Sequence, residues 1–173
     1  MDKPKSRPER WGERNDLTGE HAIGDAGQLF FAILFFGVWI PDSFFLNYTT
    51  QLNQVVPDWI RNPLGIIILI ISGFCSYTGL RIVFHEERVT PSVIRKGIFR
   101  FVRHPIYLSE VLLYLGLFIM SMSLASLFIM IIASIFLYFL CRYEEKLLLE
   151  RFGKDYQDYM REVGMWLPRL RKR

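Results

Sequence analysis

A chain of 173 residues, 51% hydrophobic and 16% aromatic with a net charge of +4, is sized for one domain. Its apolar residues run in long blocks, which excludes an ordinary water-soluble fold. The Lys and Arg surplus flanks those blocks, so no nucleic-acid partner is needed to explain it.

In chain order, residues 1–27 are polar with Gly and Pro and read as a cytoplasmic N-terminal tail. They precede an integral membrane domain over 28–173. No cleavable signal peptide is expected, because the first apolar block is long and lacks a small-residue cleavage site. That block, Gln28–Tyr48, fits one span of about 20 residues. Asp42 lies about 20 Å along it at about 1.5 Å per residue, which places it at a fraying outer end rather than as a buried carboxylate.

The second block, Pro63–Phe84, makes a second span. Its Ser72, Ser76 and Gly79 form a small-residue stripe suited to close helix packing, the hydroxyls bonding to backbone. Cys75 and Cys141 read as small apolar packing residues, not a disulfide.

The third block, Pro105–Cys141, is too long for one helix and right for two. The weakly polar SMSLAS, Ser121–Ser126, divides it into an antiparallel pair, 105–121 and 126–144. The second helix continues to Phe152, where Gly153 is a natural stop. Phe152, Tyr156, Tyr159 and Val163 then form the apolar stripe of a short amphipathic helix at the interface. The expected fold is all-α: a multi-pass transmembrane helical bundle of about four spans with a C-terminal amphipathic interfacial helix.

Basic residues alternate with these spans. Lys3, Lys5, Arg7, Arg10 and Arg14 precede the first, and only Arg61 separates the first from the second. Arg88, Arg95, Lys96, Arg100 and Arg103 precede the third, the SMSLAS turn has no charge, and the chain closes on RLRKR. Basic loops face the cytoplasm, so both termini are expected there, in a cell membrane or the endoplasmic reticulum. The same charges attract anionic lipid. His21, His85 and His104 show no metal-ligand spacing, and no metal is expected.

The hairpin has a consequence for distant residues. Pro105 suits a first helical turn, and helices of about 25 and 28 Å return Glu144 and Glu145 to the level of Arg103 and His104. This can be simple structural pairing, with Arg103 snorkelling and the acidic pair solvated. It can equally be a site at the inner interface.

KGIFRFVRHPIY, an apolar hairpin, then EEKLLLERFGKDYQDYMREV and LP resembles the isoprenylcysteine carboxyl methyltransferase family, which shares this C-terminal signature with the phospholipid methyltransferases. The resemblance covers a catalytic half, 96–170. It implies a membrane-embedded methyltransferase using S-adenosyl-L-methionine on a lipid-like or prenylated acceptor. It also implies that His104 and Tyr107 contact the cofactor, that Glu144 and Glu145 serve the cofactor and the reacting end of the substrate, and that Leu167 and Pro168 close over the site. Arg103 either holds an anionic group, such as an acceptor carboxylate, or braces the acidic pair. After the second helix the chain reads GLRIVFHEERVTPS where the family often has a Gly-containing, Trp-Ser-like stretch, and Ser109 stands where Gly is frequent.

The rivals are a phospholipid amine N-methyltransferase, an NADPH-dependent sterol-type membrane reductase, whose family shares an RHP-like motif, and a non-enzymatic protein with structural ion pairs. Tyr143-Glu144-Glu145 favours methyl transfer over reduction.

Overall fold

The computed structural model describes residues 22–84 and 92–169; the basic N-terminal tail, His85 with its HEER sequence, Arg88 and the RLRKR end lie wholly or largely outside them. Five α-helices appear: α1 (Ala22–Pro41), α2 (Asp58–Phe84), α3 (Pro105–Ser121), α4 (Leu124–Phe152) and α5 (Lys154–Glu162). No named strand occurs among the described residues. The architecture is the all-α bundle expected. Three segments, Gly24–Leu46, Asp58–Phe84 and Leu124–Phe152, are long and apolar enough to cross a membrane; α3, with 17 residues, is a shorter apolar helix. Large side chains such as Ile70, Phe74, Phe128 and Phe139 point away from the bundle. So much outward apolar surface belongs in lipid rather than water.

Two packed pairs make the bundle. α2 lies along α3, α1 lies on α4, and the α3–α4 hairpin joins them. Small residues set the α2–α3 approach: a Cβ on Gly65 would stand 2.9 Å from the Gly116 carbonyl oxygen, and one on Gly116 3.1 Å from that of Gly65. The Ser72 hydroxyl donates to the Ser109 carbonyl at 2.6 Å, so this stripe serves packing. Between α1, α3 and α4, the Phe35 ring stacks on Tyr114 at 4.3 Å, and both side chains are fully buried with Ala133. Met122, in the left-handed region at φ 55°, ends α3, and Ser123 caps α4 by accepting from the Ser126 N–H.

Three expectations change. α1 begins at Ala22, so residues 22–27 are helix rather than tail. Its glycines make this possible by letting the helix lie against α4. Asp42 is buried, 6% exposed, because the chain turns back beyond α1 and wraps the carboxylate. It accepts from the Thr49 N–H at 3.1 Å, the Thr49 hydroxyl at 2.5 Å and the Ser123 hydroxyl at 2.6 Å. Finally, the stripe on α5 packs inward: Tyr156, Tyr159 and Val163 bury against Val93, Leu148 and Phe152.

Candidate functional site

The FVRHP segment is built as a junction. A 3-10 turn, Gly97–Arg100, leads to Val102, which pairs in parallel with Gly164. The Arg103 N–H donates to the Gly164 carbonyl at 2.9 Å and the His104 N–H to that of Met165 at 3.2 Å. The Tyr159 hydroxyl donates to the Phe99 carbonyl at 2.7 Å. The chain after α5 is thereby laid along the entrance to α3. Only glycine fits at 164, since a Cβ there would come within 1.8 Å of the Leu167 carbonyl oxygen.

Arg103 is buried, 8% exposed, and all three of its side-chain nitrogens donate within the protein. Nε and Nη2 donate to Glu145 Oε1 at 2.8 and 2.6 Å, while Nη1 donates to the Met160 carbonyl at 3.1 Å and to that of Val163. Glu145 is 1% exposed and takes a further bond from Arg142 at 3.2 Å. Of the two roles open to Arg103, the geometry favours bracing. Its planar fork is spent on the protein, which leaves little to orient an acceptor carboxylate.

His104 caps the other side of the junction, 7% exposed. Its Nδ1 stands 3.6 Å from Glu144 Oε2 and its Nε2 3.4 Å from Glu145 Oε1. The second contact lacks hydrogen-bonding geometry, and Nε2 has no other partner. Burial pushes the imidazole below its ordinary pKa; the Arg103 charge acts in the same sense and Glu145 against it. His104 is therefore neutral at physiological pH. One turn on, the Tyr107 hydroxyl donates to Glu144 Oε1.

These groups wall a cavity of about 360 Å³ at one end of the bundle. Arg103, His104, Tyr107 and Glu144 line it, and Tyr156 and Tyr159 add aromatic wall. Glu145 stands behind Arg103 and His104 rather than on the surface. Leu167 and Pro168 do not reach the cavity: Leu167 is 79% exposed and Pro168 is exposed. The pairing that carries the segment across the site ends at Met165. Beyond it, Trp166 turns to Tyr138, edge-on at 6.4 Å.

Sequence reasoning missed two polar residues on the wall, Asp25 and Gln28 of α1. The signal was GDAGQ, whose glycines three apart can read as a helix face pressed on a neighbour; its polarity reads as tail. No group of His, Cys, Asp or Glu suited to a metal ion occurs among the described residues.

Residues 60–155 match the family model described as phospholipid methyltransferase. The chain is 29% identical over 150 residues to a methanethiol S-methyltransferase of Crocosphaera subtropica (strain ATCC 51142 / BH68), covering 82% of this chain and 58% of the relative. It is 32% identical over 75 residues to a methanethiol S-methyltransferase of Pseudomonas deceptionensis, covering 43% of this chain and 28% of the relative. The chain thus spans little more than half the length of the first and less of the second. The family match takes in α2, the whole RHPIY junction, the α3–α4 hairpin and the start of α5. The chain belongs to the phospholipid methyltransferase family.

Proposed function

We propose that this protein is an integral membrane methyltransferase that uses S-adenosyl-L-methionine to methylate a thiol or amine on an acceptor that partitions into the membrane. The observation that carries this is the convergence of His104, Tyr107 and Glu144 on one cavity. The cavity volume also lies in the range of small-molecule sites.

The residues fit the cofactor. Neutral His104 offers one hydrogen bond, Glu144 held by Tyr107 offers a carboxylate to cationic groups, and Tyr156 and Tyr159 offer flat apolar surface. When bound, S-adenosyl-L-methionine supplies a methyl group on a sulfonium, which needs alignment above all. Arg103 and Glu145 are positioning residues that hold His104 and the segment after α5. An acceptor thiol or ammonium must shed its proton before it can attack. Glu144 is the wall carboxylate placed to take it, so the rate should rise with pH.

Carboxylate methylation loses its main support because the Arg103 fork is occupied. The relatives' names bring in a sulfur acceptor alongside the amine. The family match favours methyl transfer over the reductase alternative. The working unit we assign is a single membrane domain, with catalysis in residues 96–170. Both termini face the cytoplasm, by the basic alternation. An impermeant reagent should label a cysteine at Gln54 from outside and not one at Ser6; the reverse pattern sinks the orientation.

The test of function is calorimetry with S-adenosylhomocysteine. Wild type should bind, and His104→Ala and Glu144→Ala should each weaken binding about ten- to a hundred-fold, the worth of one charge-assisted hydrogen bond. Unchanged affinity in both places the cofactor elsewhere.

A further inference from the structure

The cavity has a second side that the RHPIY and EE residues do not supply. It is formed by Asp25 and Gln28 of α1 and by Leu80, Val83 and Phe84 at the end of α2. α1 lies before residue 60, outside the segment matched to the family. Its first turns are held there by close contact: a Cβ on Gly27 would stand 2.2 Å from the Phe136 ring and one on Gly24 3.1 Å from Leu140. With those glycines against α4, Asp25 and Gln28, three apart on the adjoining face, border the cavity.

α1 and α2 do not pack side by side; each packs on its own member of the α3–α4 hairpin. The cavity between them therefore has one polar lip and one apolar lip, with His104, Tyr107 and Glu144 on the wall they face. This is the shape of a slot for an amphiphile. An apolar tail lies along Leu80, Val83 and Phe84, and a small polar head meets Asp25 and Gln28. Asp25 adds a negative charge at the head position, which repels an anion and tolerates a neutral or cationic group.

We propose that Asp25 and Gln28 are specificity-determining residues that read the head of a tailed acceptor entering between α1 and α2, and that Asp25 selects thiols and amines against carboxylates. The inference rests on the methyltransferase reading above.

The experiment uses full-length protein in detergent and three acceptors with one tail: dodecanethiol, dodecylamine and dodecanoate. Single-turnover methyl transfer and S-adenosylhomocysteine binding are measured together. Wild type should prefer the thiol and the amine. Asp25→Lys should shift the kcat/KM ratio towards dodecanoate by about ten-fold or more, with S-adenosylhomocysteine affinity held within about two-fold. Asp25→Glu should keep the wild-type order. Unmoved ratios, a parallel fall for all three acceptors, or no transfer to any of them by wild type that binds S-adenosylhomocysteine overturns the inference. Wild type that binds no S-adenosylhomocysteine overturns the methyltransferase reading instead.

Discussion

Asp42 and Glu145 are both buried carboxylates, and they stand at opposite ends of one bundle. Asp42 is wrapped by two hydroxyls and a backbone N–H. Glu145 is held by two arginines, and its neighbours His104 and Arg103 line a cavity. Burial of an acid therefore does not mark a site. What separates the two ends is the setting of the acid: hydroxyls closed on the Asp42 carboxylate at one, and at the other an arginine-held Glu145 beside residues that line a cavity. At the Asp42 end the hydroxyls fasten α1 to the hairpin turn. At the Glu145 end the buried ion pair backs a cavity lined by Arg103, His104, Tyr107 and Glu144.

The largest expected effect strikes the Glu145 end. Glu145→Ala leaves Arg103 buried without its counter-charge, which costs about 3–5 kcal/mol. It should lower the melting temperature in detergent and abolish S-adenosylhomocysteine binding together. A variant with wild-type stability would show that the ion pair does not hold the junction. Next comes the Asp42 end. Asp42→Ala strands the Thr49 and Ser123 donors at about 1–3 kcal/mol, with S-adenosylhomocysteine affinity unchanged in the protein that remains folded. Loss of affinity there would erase the distinction between fastener and site.

The smallest effect is a pH dependence confined to the Glu145 end. Folding depresses the His104 pKa, so below its ordinary value of about 6.5 the unfolded chain binds more protons than the fold. Stability from this residue is complete above about pH 6.5 and is lost as pH falls towards the folded pKa. Melting temperature between pH 7.5 and 5.5 should drop more steeply for wild type than for His104→Gln. Parallel slopes would mean that folding leaves the His104 pKa unshifted.

Much of this comparison was legible beforehand. The α3 limits, Pro105 and Ser121, follow from a proline suited to a first turn and a break in apolarity. Gly153 ends α4 because its φ of 54° suits a residue without a side chain. The meeting of Arg103 with Glu145 follows from helix rise and a short turn. Asp42 was misplaced because one of its partners, Ser123, lies 81 residues away. Counting along one helix cannot see that. α1 began too late in the reading because polarity hid glycines whose role is contact with α4. Leu167 and Pro168 follow the pairing with Arg103 and His104, but nothing in their composition shows that the pairing stops at Met165.

The Arg103 side chain holds carbonyls up to 60 residues further along. On the ribosome, Arg103 is therefore made and delivered to the membrane surface well before Val163 exists. Until the segment after α5 emerges, the hairpin can insert, yet the junction has no roof and Arg103 no carbonyls to grip. The order of synthesis thus makes the bundle first and the site last. A chain halted just after Gly153 would be a membrane-inserted protein with its chemistry still unassembled.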